Sequence, residues 1–89
     1  VNGLISVAVA RDKKSGKALD VELRLQGIPL EGQDRTDFIE DAVISARDAA
    51  NGKGDVEKLR ESVRLAVRRE ATDWTGKKPI VDVMILNIG

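Results

Sequence analysis

The chain has no cysteine and no histidine, one tryptophan and one phenylalanine, and no excess charge of either sign. Without cysteine, disulfides are excluded and a cytosolic origin fits. Without histidine the commonest metal ligand is gone, and with cysteine also missing a zinc site would need carboxylates alone. The same two absences remove the usual catalytic pairs. Serine, threonine and lysine are present, but no nucleophile–base–orienter set can be built around them. Fifteen basic and fifteen acidic residues cancel. A nucleic-acid module usually carries a basic excess, so any RNA contact here must come from a local patch. No apolar run approaches a membrane span, and no signal-peptide pattern opens the chain.

What is present is 42% hydrophobic and 34% charged residues over 89 positions. That balance describes one small soluble globular domain, residues 1–89, at the small end for stability. The chain opens Val1-Asn2-Gly3, and its only methionine is Met84. Loss of an initiator methionine and a cut at a domain boundary both give such a start. The expectation is the cut, making this an accessory domain of a longer protein.

Gly3 to Arg11 alternates Ile5, Val7 and Val9 with Leu4, Ser6, Ala8 and Ala10, which predicts a first strand. A polar turn from Asp12 to Lys17 follows, with Gly16 able to take positive φ. Leu19, Val21, Leu23 and Leu25 then alternate with Asp20, Glu22, Arg24 and Gln26, a strand with one wet face, and the two strands should form an antiparallel hairpin. Pro29 interrupts any continued ladder. Asp34 offers a helix N-cap, Phe38, Ile39, Ala42, Val43, Ala46 and Ala50 share one helical face, and Asn51-Gly52 ends it. Asp55 caps a second helix that runs to about Trp74, with Gly76 as terminator. The short link between them implies an antiparallel helix pair. Ile80 to Ile88 is a third strand whose two faces are both largely apolar.

The order ββααβ therefore predicts an α+β domain, a three-stranded sheet with two antiparallel helices packed on one face. Two helices cannot cover both faces. The surplus apolar residues of the last strand, among them Val81, Val83, Met84 and Ile85, point to an interface with a partner subunit or a neighbouring domain.

Four constellations invite functional readings. Asp34, Asp37, Glu40 and Asp41 could bind a divalent cation, but their spacing is not that of an EF-hand and they suit a helix N-terminus. Arg60, Arg64 and Arg68, with Arg69 beside them, could track phosphates, although Glu57 and Glu61 stand where they can pair with the first two. Lys77 and Lys78, and Lys13, Lys14 and Lys17, are the least compensated cations and lie at strand ends. Asn51-Gly52-Lys53-Gly54 sits between two helices, as the GXXG loop of a KH domain does, but is one residue short of that motif. Candidate RNA or phosphate contacts are thus Lys77, Lys78, Lys14 and Lys53. Trp74 reads as a core anchor.

Three stretches carry a family resemblance. They are the strand–turn–strand from Gly3 to Gly27, the pair of amphipathic helices, and the tail Thr75-Gly76-Lys77-Lys78-Pro79 followed by the apolar strand Ile80 to Ile88. Together they resemble the C-terminal domain of ribonuclease J, a metallo-β-lactamase/β-CASP nuclease. One departure is Leu25-Gln26-Gly27, where the family often has Ser-Arg-Gly. The resemblance implies a cytoplasmic RNA-processing parent with 5′→3′ exonuclease and endonuclease activity. It implies two zinc ions in that parent, held by a His-rich motif of which this chain has no part. It also implies that this non-catalytic domain supports homodimerisation and the arrangement of the catalytic domains. The competing reading is a KH-like RNA-binding module.

Overall fold

The computed structural model describes residues 3–52 and 54–89. Its elements are β1 (Leu4–Asp12), β2 (Ala18–Gln26), α1 (Gly32–Ala50), α2 (Val56–Thr75) and β3 (Ile80–Ile88). The expected ββααβ order is the observed one.

The sheet order is β2-β1-β3, with β1 antiparallel to β2 and parallel to β3. Parallel neighbours need a long crossover, and the two helices supply it. Side-chain alternation then sorts the sheet into two faces. Ile5, Val7 and Val9 of β1, Val21 of β2, and Val81 and Val83 of β3 are buried beneath the helices. Phe38, Ala42, Ala46 and Ala50 of α1 and Val63, Val67 and Ala71 of α2 are completely buried against them. The three alanines four apart make a stripe of small residues on the buried face of α1, and Phe38 stands at the N-terminal end of that stripe. Its ring meets Trp74 edge-on at 6.3 Å, which makes Trp74 the core anchor the sequence suggested. Burying Val63 or Val67 in full stabilises the fold by roughly 1.5–3 kcal/mol each.

Two local expectations need correction. Asp34 is not the N-cap of α1. The cap is Glu31, extended at φ −135°, and it makes no side-chain capping bond. Leu30 is buried just before it, so the helix turns in early and Asp34 becomes an acidic residue of the first turn, favoured by the helix dipole. Leu19 is not on the buried face of β2. The register shifts between Ala10 and Arg11, so Arg11 faces Ala18 and Leu19 is the extra residue of a bulge, 57% exposed. The second helix follows the sequence closely. The Asp55 carboxylate accepts from the Glu57 amide at 3.0 Å, and Gly76 closes α2 in the left-handed conformation at φ 71°.

Candidate interaction site

The face of the sheet turned away from the helices is open. Strand pairing sets its rows: Gln26, Leu4 and Ile80; Arg24, Ser6 and Asp82; Glu22, Ala8 and Met84; Asp20, Ala10 and Leu86. The middle strand carries small residues at Ser6, Ala8 and Ala10. They form the floor of a shallow trough between longer side chains, with a recess of about 240 Å³ bordered by Glu22, Arg24, Asp82 and Met84. The β2 wall is charged, with Glu22 and Arg24 in contact at 3.8 Å. The β3 wall is apolar apart from the exposed Asp82. Ile80, Met84, Leu86 and Ile88 are all more than half exposed. β3 is also an edge strand, nine residues long, with β1 as its only strand neighbour among the described residues. Long apolar edge strands are association sites unless something covers them.

The four β3 residues expected at an interface fall on two faces. Val81 and Val83 are buried in the core and Ile85 packs against it, so these three meet the helices. Met84 is on the open face. The residues that share that face with it are Ile80, Asp82, Leu86 and Ile88, which alternation places there once one face is known to be covered.

The candidate phosphate contacts also separate. Because β1 and β3 run parallel, Lys77 and Lys78 precede the shared start of the two strands, whereas Lys13, Lys14 and Lys17 follow the far end of β1. The two lysine groups therefore lie at opposite ends of the sheet. Lys14 belongs to the hairpin turn that adjoins the link between the helices, through the Gly52 amide bonded to the Gly16 carbonyl at 3.0 Å. Lys53 lies outside the described residues. Gly52 itself is occupied, since its carbonyl accepts from the Arg11 guanidinium.

Arg11 is the residue that the sequence did not single out. It is 5% exposed and binds four groups from four segments. Its Nε donates to the Ala50 carbonyl at 2.9 Å and its Nη1 to Asn87 Oδ1 at 3.1 Å. Its Nη2 donates to the carbonyls of Gly16, at 3.2 Å, and Gly52. The C-terminal end of α1 presents unsatisfied carbonyls with partial negative charge, so a buried cation is stable there without a carboxylate. Asn51 Oδ1 accepts from the Ala18 amide at 2.8 Å and completes this clasp between the hairpin turn and the helix link.

On the outer side, Glu57 and Glu61 pair with Arg60 and Arg64, with Nε of Arg64 2.9 Å from Glu61. The Arg64 guanidinium holds the Glu61 carboxyl below its usual range, and the carboxylate in turn raises the Arg64 value. In the acidic first turns of α1, Asp37 accepts from Gln33 at 2.8 Å. Among the described residues, no group of three or more acidic side chains is placed to hold a metal ion. No helix among them is long and apolar enough to cross a membrane.

Comparison with protein families matches residues 1–88 to the model described as the ribonuclease J C-terminal domain. A search of curated proteins finds no match.

Proposed function

This chain belongs to the ribonuclease J C-terminal domain family, and from that membership we propose that it is a non-catalytic domain through which the parent ribonuclease dimerises and holds its catalytic domains in a working arrangement. The observation that carries this reading is the β3 wall. Ile80, Met84, Leu86 and Ile88 stand more than half exposed on an uncovered edge strand. An apolar surface of this kind on a folded domain favours a partner, and the partners at hand are the rest of the same chain and a second copy of it. Hydrolysis of RNA belongs, in this reading, to zinc ions held elsewhere in a cytoplasmic parent. This chain has no His or Cys to offer them.

The test uses the full-length parent with Met84→Lys and Leu86→Lys combined. Light scattering should report a shift from dimer toward monomer, with loss of ribonuclease activity at dilute enzyme. An unchanged association state in this double variant sinks the proposal. The KH-like alternative has less support, because the Gly52 amide and carbonyl are both bound within the domain.

A further inference from the structure

Helix α2 carries two kinds of arginine. Arg60 and Arg64, in its first half, are each held by a glutamate three residues earlier. Arg68 and Arg69, in its second half, take part in none of the ion pairs found among the described residues. Sequence spacing assigns glutamates to the first two but leaves open whether Arg68 and Arg69 are paired, because Glu70 and Asp73 lie close along the chain. The structure does. Glu70 is turned toward α1, where its carboxylate accepts from Ser45 Oγ at 3.2 Å. Asp73 lines the same recess as the two arginines but is not within ion-pairing distance of either.

The recess is about 340 Å³ and is bordered by Leu65, Arg68, Arg69, Thr72, Asp73 and Lys78. Lys78 comes from the turn after α2, and that turn is tied to the helix. Thr72 Oγ1 donates to the Lys77 carbonyl at 3.1 Å, and the Lys77 amide donates to Thr75 Oγ1 at 3.1 Å. With Gly76 closing the helix, the third cation is carried on a fixed turn rather than a free loop. Pre-ordering of this kind lowers the entropic cost of binding. Leu65, 44% exposed, gives the recess an apolar patch beside its cations.

We infer that Arg68, Arg69 and Lys78, on α2 and the turn that follows it, form a contact site for the phosphate backbone of single-stranded RNA. Three cations against one carboxylate leave a local positive excess that the zero net charge of the whole chain conceals. Guanidinium groups pair with phosphate in planar, two-pronged fashion, and their faces or a leucine side chain can rest against a base or ribose. The choice of RNA as the occupant rests on the reading that the parent is a ribonuclease. The site would hold a strand alongside the catalytic domains and would make no chemical step itself.

The experiment compares two variants of the full-length parent, Arg68→Gln with Arg69→Gln, and Arg60→Gln with Arg64→Gln. Both remove two cations from the same helix, so a general effect of charge is common to them. Binding of a 2′-O-methyl oligoribonucleotide, which resists cleavage, is measured across a salt series. The first pair should weaken binding about fivefold or more at low salt and reduce the slope of log K against log salt by about 1.4, the share of two phosphate contacts on a single strand. The second pair should leave the slope unchanged, and adding Lys78→Gln to the first should lower it further. Equal slopes for the two pairs overturn the site. An unchanged RNA affinity for the first pair together with an altered association state identifies a protein partner and overturns it as well. A wild-type parent that binds no RNA removes both the ribonuclease reading and this site, whereas a variant effect confined to RNA leaves the β3 interface to stand or fall separately. Melting curves of each variant confirm that these outward-facing substitutions leave the fold intact.

Discussion

Arg11 Nε donates to the Ala50 carbonyl at 2.9 Å, so a residue of the central strand caps the C-terminal end of α1. The same guanidinium reaches the hairpin turn, the helix link and β3, and so ties together one end of the domain. No buried side-chain nitrogen or oxygen among the described residues is left without a partner. Replacing Arg11 by methionine keeps much of the volume but strands the carbonyls, and should cost about 3 kcal/mol. Arg11→Lys should recover only part of this, because an ammonium cannot reproduce the fork. Urea unfolding followed by Trp74 fluorescence measures both.

Gly16 and Gly76 separate two reasons for glycine. Both have positive φ, 74° and 71°. A β-carbon at Gly76 meets nothing within 4 Å, whereas one at Gly16 would stand 2.7 Å from the Gly52 carbonyl oxygen. Gly76→Ala should therefore cost about 1–2 kcal/mol, the left-handed conformation alone. Gly16→Ala should cost clearly more and loosen the contact with the helix link. Denaturation midpoints, with hydrogen exchange at the Gly52 amide, distinguish the two.

The face assignment of β3 predicts opposite outcomes for two residues of the same strand. Val83 is 7% exposed and Leu86 57%. Val83→Ala should destabilise the domain by about 1–2.5 kcal/mol through lost burial and a residual cavity. Leu86→Ala should change monomer stability by less than about 0.5 kcal/mol. Calorimetry at low protein concentration, where association does not contribute, tests the pair.

Acid should weaken the fold through identifiable carboxylates. Ser15 donates its backbone amide to Asp12 Oδ2 at 2.8 Å, and the hydrogen bonds from Ser15 hold the Asp12 carboxyl below its usual range. Arg64 does the same for Glu61. A carboxyl lowered in the folded state contributes stability that is complete above its unfolded value and is lost as pH falls through the folded one. Melting temperature should thus be flat on this account at neutral pH and decline below about pH 4. Asp12→Asn and Glu61→Gln should each shallow that decline. The Glu61 share should shrink in high salt, since the pair is exposed.

Much of this fold is legible from local pattern. The alternation of Ile5, Val7 and Val9, the Asp55 cap and the Gly76 stop each act within a few residues of chain, and sequence reports such features directly. Strand order is different. Nothing near Ile80 says that it lies beside Leu4, so neither the covered face of β3 nor the separation of the two lysine groups could be read. Arg11 escapes sequence reading for the same reason. A charged residue at the end of an apolar strand looks like the start of a turn, and its carbonyl partners are backbone atoms that carry no sequence signal. Leu19 illustrates a third case, where one bulge defeats alternation that is otherwise sound. On the interaction wall, the excess of apolar residues in Ile80 to Ile88 was visible, but which half of them remained in water was not.

The parallel pairing of β1 with β3 also limits when the sheet can be completed. The hairpin can close as soon as its turn exists, and the helices can pair across their short link. β1 gains its second neighbour only when the segment beyond α2 returns to it, a contact between distant parts of the chain that must offset the entropy of closing a long loop. On the ribosome, therefore, the central strand stays half-paired until β3 has emerged. The apolar wall becomes available for association only at that final step, so a chain that has not finished its own sheet cannot present a complete wall to a partner.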